Sequence, residues 1–429
     1  MNNIGLLIKM SRIQQNMKQV NLAKGICSTS YLSKIENTQT IPSEDVLQLL
    51  LDRLNLDYED ISTEQEIEFL SELYLLYKES IIDRNKDDIK EKLLSYKERN
   101  FLFKDESNFY TYNLYLFRIY LIIETDVEFP KKLLDALDQM KDKFNDRQKF
   151  VFNNNCGLFF YLTNEFKISL NHFEIALDII SNFHLEEWEL ADFYHAISMS
   201  YLSNNHLLNT IEYSTKSLNY YKDNLIFSRA IDCYIVTGVA HMMTAKYKSA
   251  EESFLLSKKL AKDIGLNKYD GIITQNLGAL YSLKGNREKA IEYFIESLDY
   301  WDDTDGHLIT FFSVVKEYSK NDNIQKVSQW CEKGLALIEA DSIEKHMAFF
   351  YHFNIYKVKH KMDMSFDQVI LSAIHYFENN KDYRYAYKYS ILLGNLYSEN
   401  RKYKSSALAY QNAIFYQFQF ISINYLEEL

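Results

Sequence analysis

Two prolines and eleven glycines in 429 residues leave few places where a helix is forced to stop. With 47% apolar residues available to bury, the chain reads as all-α with a sizeable core. No stretch approaches the roughly 18 to 20 uninterrupted apolar residues that a membrane span needs. The first residues also lack an apolar signal-peptide core, so a soluble, cytoplasmic protein without membrane partners is expected. Four cysteines, Cys27, Cys156, Cys233 and Cys331, are scattered without a C-x-x-C pair or a histidine at zinc-ligand spacing. They read as buried thiols, and no metal is expected. The chain also lacks an H-E-x-x-H pair, a Gly-rich phosphate loop and a G-x-S-x-G elbow. Nothing in it demands an enzyme or a cofactor.

What is present is a repeat. Gly238, Ala250 and Phe254 recur 40 residues on as Gly278, Ala290 and Phe294. The run Ile211, Glu212, Tyr213 with Ser217, Leu218 and Tyr220 recurs at twice that distance as Ile291, Glu292, Tyr293 with Ser297, Leu298 and Tyr300. One architectural unit is therefore being copied. The same frame is legible at Gly157 (with Phe160, Phe173 and Ala176), at Ser198 (with Tyr201) and at Gly394 (with Leu393, Tyr397, Tyr410 and Ala413), and more weakly near Val315 and Asn354. Seven helix pairs are legible, and residues 64 to 150 have the length for about two degenerate ones, giving about nine over residues 64 to 429.

Charge sets residues 1 to 43 apart from the rest of the chain. Up to Ser43 there are five basic residues, Lys9, Arg12, Lys18, Lys24 and Lys34, against Glu36 alone. That +4 in a chain of net charge −12 leaves −16 for the remainder, so only the head suits a phosphate backbone. Residues 4 to 15 read as an amphipathic helix, a second short helix starts at Lys18, and Gly25 to Ser28 makes a tight turn. Ser28 or Thr29 then caps a helix over residues 29 to 36, with Leu32 and Ile35 inward and Thr29, Ser30, Ser33 and Lys34 outward. Small polar groups there reach base edges in a major groove. Pro42 precedes a further helix, Ser43 to Leu54.

Gln19, Leu22, Ala23, Ser33, Ile35, Glu36 and Asn37 fit Q-x-x-L-A followed by S-x-I-E-N, which resembles the repressor-type helix-turn-helix of the XRE class. The resemblance implies binding to a double-stranded DNA operator, with Arg12 and Gln19 positioning phosphates and Thr29, Ser30, Ser33 and Lys34 reading bases. The family usually has glycine where this chain has Thr38, and Asn37 is expected to take the left-handed conformation instead. The alternative is a helical bundle that dimerises or caps the repeats without touching DNA.

In the body, Asn276, Leu277, Gly278 and Tyr281, then Ala290, Phe294 and Ser297, are similar to the tetratricopeptide pattern, in which a small residue lets the first helix of a pair approach the second. A right-handed superhelix with a concave wall follows, and such walls bind extended peptides. First-helix positions aimed at that wall include Asn154, Asn155, Gln275, Asn276 and Asn395, whose amides can grip a peptide backbone. His195, Asp232, Met242 and Arg118 are candidates for specificity, and Arg118 interrupts the apolar run Leu114 to Ile123 where it can meet a ligand carboxylate. The competing reading makes the amides bonds to adjacent helices and pairs Arg118 with Glu124. Residues 55 to 65 hold no Gly or Pro and one serine, Ser62, unlike a loose Gly/Ser/Pro tether, so a semi-rigid junction is expected.

Head and body together resemble the Rap, Rgg, NprR, PlcR and PrgX family of quorum-sensing regulators, and the length is most like the neutral-protease regulator type. The resemblance implies a transcription regulator, a homodimer or higher oligomer, controlled by a short signalling peptide held in the repeats. It also leaves open a protein that binds or dephosphorylates a response regulator, and a phage or plasmid repressor of the same build.

Overall fold

Ser28 starts the third helix of the chain by accepting a hydrogen bond from the Tyr31 N–H at 3.1 Å, which satisfies one of the donors that a helix start leaves free. The computed structural model describes residues 3–97, 100–123, 126–359 and 366–421, and 22 helices among them. The chain packs as two compact units, Met1–Ala240 and His241–Leu429.

The first unit opens with α1 (Ile4–Gln14), α2 (Gln19–Ala23), α3 (Thr29–Glu36) and α4 (Glu44–Leu54). Ile4, Ile8, Leu22, Leu32, Ile35, Leu50 and Leu54 bury together between them. Arg53 closes the C-terminal end of α2 by donating to the Leu22 carbonyl at 2.9 Å. The left-handed residue after α3 is Thr38 (φ 58°), not Asn37, which stays at φ −96°, so the expectation for Asn37 is corrected. The chain turns at the position where the family has glycine, and the β-branched side chain takes the unfavourable conformation itself.

The junction holds a feature that a helical reading misses. Glu59–Asp60 (β1) pairs in parallel with Phe101–Leu102 (β2), and the Glu59 N–H donates to the Asn100 carbonyl at 2.8 Å. Two residues are too short for any period-2 pattern. Ser62 and Gln65 then cap one another's backbone and start α5 (Thr63–Ile82).

Helices now follow in pairs: α5 with α6 (Lys86–Lys97), α7 (Glu106–Ile123) with α8 (Glu128–Asp138), α9 (Asp146–Leu162) with α10 (Phe166–Ile179), and α11 (Glu187–Ser203) with α12 (Leu207–Asp223), before α13 (Phe227–Met243), in which the first unit ends. The second unit holds α14 (Tyr247–Asp263), then the pairs α15 (Asp270–Leu283) and α16 (Arg287–Ser297), α17 (Thr304–Ser319) and α18 (Ile324–Asp341), α19 (Met347–Val358) and α20 (Phe366–Asn379), and α21 (Tyr383–Glu399) and α22 (Tyr403–Ile421).

The repeat motif has a direct physical basis in both units. A methyl placed on Gly157, Gly278 or Gly394 would lie 2.8, 2.5 or 2.6 Å from the ring of Phe173, Phe294 or Tyr410, so only glycine admits the partner helix's aromatic. Ser169 Oγ donates to the Gly157 carbonyl at 2.7 Å, and Ser406 Oγ to the Gly394 carbonyl at 2.8 Å, which repeats the contact at the other end of the array. The turns after α9, α11, α13 and α15 need a left-handed residue, and Asn164, Asn205, Ala245 and Gly285 supply it at intervals of 41, 40 and 40 residues.

Candidate functional site

On the head, α3 presents Thr29, Ser30 and Lys34 to solvent and Ser33 half-buried beside them. Leu32 and Ile35 hold the opposite face in the core. Lys18 and Lys24 are also exposed, so three cations surround a helix whose first turn carries small hydroxyls. Arg12 and Gln19 do not join them. Arg12 is buried and forms a fork with Glu36, Nε to Oε1 at 2.5 Å and Nη2 to Oε2 at 2.9 Å, while its Nη1 donates to the Met17 carbonyl at 2.9 Å. Gln19 Nε2 donates to the same carboxylate at 2.7 Å. The two side chains assigned to phosphates instead bind and orient the buried Glu36 carboxylate. Glu36 was the sequence signal, since an inward acid on a helix that buries its neighbours needs such partners.

The head is also fastened within the first unit: Asn3 Nδ2 donates to the Lys104 carbonyl at 2.9 Å, and Lys9 Nζ to the Gln139 carbonyl at 3.2 Å. Helix α1 packs on α8, beneath which lie α7 and α9.

Those helices carry the second candidate. In the first unit α7, α9, α11 and α13 place Arg118, Asn154 with Asn155, Asp192 with His195, and Arg229 with Asp232 in successive pairs. Asn155 Nδ2 donates to the Leu114 carbonyl of α7 at 2.9 Å, one turn before Arg118. Arg118 Nη2 meets Asp192 Oδ2 at 2.6 Å, and the other oxygen of Asp192 accepts from Arg229 Nη2 at 2.9 Å. Arg229 Nη1 reaches Asp232 Oδ2 at 3.2 Å, which also takes Arg84 Nη1 at 3.0 Å. The network holds three guanidinium groups against two carboxylates. Burial, reinforced by Arg229, Arg84 and Arg118, holds the His195 imidazole far below its usual pKa, so it stays neutral and 3.6 Å from the Cys233 sulfur.

Four buried atoms here have no partner among the described residues: Arg118 Nε and Nη1, and the Oδ1 atoms of Asn154 and Asn155. The expected Arg118 partner, Glu124, lies outside the described residues. Asp192 and Arg229 were missed by the sequence reading. Their signal was available as charged residues recurring at first-helix positions of consecutive repeats.

The second-unit candidates bond to their own or neighbouring helices. Gln275 ties α15 to α17, donating to Ser313 Oγ at 2.9 Å and accepting from Thr310 Oγ1 at 3.1 Å. Asn276 Nδ2 turns back to the Ile272 carbonyl of its own helix at 2.9 Å, and Asn395 Oδ1, exposed, accepts from Tyr410 Oη at 2.6 Å. Met242 is half-buried.

Comparison with known proteins bears on both regions. The family model described as "Helix-turn-helix" matches residues 8–61. The Transcriptional activator NprA of Geobacillus stearothermophilus is 30% identical over 409 residues, covering 92% of this chain and 98% of NprA. The chain belongs to the Rap, Rgg, NprR, PlcR and PrgX family. Among solved structures, apo NprR from B. thuringiensis superposes with a TM-score of 0.66 at 18% identity, over 83% of this chain and 100% of that one. NprR in complex with its cognate peptide NprX gives a TM-score of 0.61 at 20% identity, over 82% and 98%. These likenesses bear on the fold, an all-α tetratricopeptide-like array behind a helix-turn-helix. As a member of this family the chain is a transcription regulator with a DNA-binding motif at its head. No helix among the described residues is long and apolar enough to cross a membrane.

Proposed function

We propose that this family member is switched by a short peptide, with residues 1–63 as its operator-binding head and residues 64–429 as the repeat domain that holds the ligand. The observation that carries the reading is the wall of α7, α9 and α11, where Arg118, Asn154 and Asn155 keep buried donors and acceptors unmet among the described residues. Leaving such groups unsatisfied costs about 1 to 3 kcal/mol each, so a ligand that supplies carbonyls, N–H groups and a carboxylate relieves them together. The excess of one positive charge in the Arg84, Arg118, Asp192, Arg229, Asp232 network favours an anionic group at Arg118. NprR, of the same fold, is known in complex with a cognate peptide.

The route to the head runs through α8, which packs against α7 and α9 on one side and α1 on the other. A ligand that draws α7 and α9 together shifts the platform on which α1 rests, and Lys9 and Asn3 carry that shift to α3. Two heads on half-sites one helical turn apart translate a small rotation into lost or gained register. On DNA, Thr29, Ser30, Ser33 and Lys34 read bases, while Lys18 and Lys24 take phosphates. Replacing Ser30 and Lys34 by Ala in the full chain tests this assignment by selection from a pool of random duplexes: the preferred sequence changes if it holds, and an unchanged preference at lower affinity removes it.

A further inference from the structure

In the second unit the first helices of three pairs, α17, α19 and α21, enclose a hollow of about 280 Å³ lined by Phe312, Lys316, Tyr356, Lys359, Tyr385 and Lys388. A second hollow of about 270 Å³ shares Phe312, Lys316 and Tyr385 with it and adds Arg384. Four cations thus converge on one place in a chain with 60 acidic and 48 basic residues. Elsewhere in this unit lysines find carboxylates, as Lys258 does with Glu296 and Lys284 with Glu251, both at 2.9 Å.

Here they do not. Lys316, Arg384 and Lys388 make no side-chain hydrogen bond or ion pair among the described residues. Each instead lies over an aromatic face: Lys316 Nζ 4.8 Å from the Phe312 centroid, and the Arg384 guanidinium and Lys388 Nζ 4.6 and 5.2 Å from that of Tyr385. Two carboxylates lie near: Asp382, which lines the second hollow, and Glu317, whose Oε2 has no hydrogen-bond partner among the described residues. Asp382 Oδ1 accepts from the Tyr385 N–H to start α21, and Glu317 Oε1 takes Lys320 Nζ at 2.5 Å. His352 adds no charge, because it is stacked 4.4 Å from Phe312 and 5.1 Å from Phe377 and burial holds it neutral. Burial, then Lys388 and Arg384, push the Lys316 amine down to about 8, against a smaller opposing pull from Glu317. Four cations against the one carboxylate in the lining, Asp382, leave positive charge in excess, which favours an anion.

We infer that this hollow is a carboxylate site, in which Lys316, Arg384 and Lys388 hold either the C-terminal carboxylate or an acidic side chain of a short peptide between the rings of Phe312, Tyr356 and Tyr385. The inference rests on the peptide-sensing reading above. A hollow of about 280 Å³ suits one or two residues of a peptide. Asn395 lies at the same hollow, where its amide suits a peptide bond next to the held carboxylate.

The test uses the full chain and three pools of random heptapeptides: free acids without Asp or Glu, C-terminal amides carrying one Asp, and amides without any acid. Retained peptides are quantified by mass spectrometry. The site predicts at least tenfold greater retention from one acid-bearing pool than from the acid-free one, and which pool it is identifies the carboxylate. Lys316→Met removes that preference, and Lys388→Gln, at an exposed position, weakens it without endangering the fold. A preference undiminished in both variants overturns the inference. If the wild-type chain retains nothing from any pool, the peptide reading fails. The hollow is then judged separately by how fast limiting acetic anhydride modifies Lys316 with and without citrate: threefold protection supports a carboxylate site, and equal rates overturn it.

Discussion

Removing Arg12 leaves the Glu36 carboxylate buried against apolar neighbours with only Gln19 to answer it. Arg12→Met is therefore expected to cost the head about 3 to 5 kcal/mol, read as lost protection of α1 and α3 amides in hydrogen exchange. Were Arg12 a phosphate contact instead, the fold would hold and the salt dependence of DNA binding would drop by about one counterion. Thr38 offers the opposite case, since its left-handed backbone is held by a β-branched residue. Thr38→Gly is expected to stabilise the head by about 1 kcal/mol, measured by the same exchange. Both residues show where the sequence stops being legible. The outward face of α3 follows from helical spacing, but whether Arg12 meets a phosphate or Glu36 depends on how two helices 24 residues apart cross. Spacing within one helix carries no record of that.

At the scale of elements, two glycines seven residues apart separate packing from backbone conformation. Gly278 faces the Phe294 ring, whereas Gly285 has φ 79° and open space where a side chain would start. Gly285→Ala is expected to cost about 1 to 2 kcal/mol from the left-handed turn alone. Gly278→Ala, which forces α15 from α16, costs more than that, typically about 1 to 3 kcal/mol and at times beyond. Urea unfolding of the two variants side by side checks the order, and a larger loss at Gly285 would mean that the repeat glycines serve turns and not close approach. The helix pairs were legible because small residue and aromatic recur at one interval. The β1–β2 pairing was not, since two residues per strand hold no pattern, and neither was the Asp192 to Arg229 link, whose partners are far apart in sequence.

Across the whole molecule, each unit buries a neutral histidine, His195 in the first and His352 in the second. Both sit well below the ordinary value of 6.5, so below pH 6.5 the unfolded chain takes up protons that the folded chain refuses. Stability is full above that pH and falls beneath it, by about 1.4 kcal/mol per histidine for each further pH unit. Melting temperatures at pH 7.5 and 5.5 are expected to differ accordingly, with a smaller difference in His352→Gln. Family membership, argued from head and repeats together, was the most legible property of the chain. The side-chain contacts were the least, because an amide before a glycine looks the same whether it bonds a neighbouring helix, as Asn155 does, or its own helix, as Asn276 does.

The central claim is that a peptide on the Arg118 wall changes how the head engages DNA. It is tested most directly by loading the full chain from conditioned culture medium, identifying retained peptides by mass spectrometry, and measuring affinity for its selected duplex with and without the peptide found. The account predicts one short peptide, lost in Asn155→Ala and Arg118→Met, and a change in DNA affinity of about fivefold or more. A retained peptide that leaves DNA affinity unchanged, or one that both variants bind as well as the wild-type chain, would contradict it.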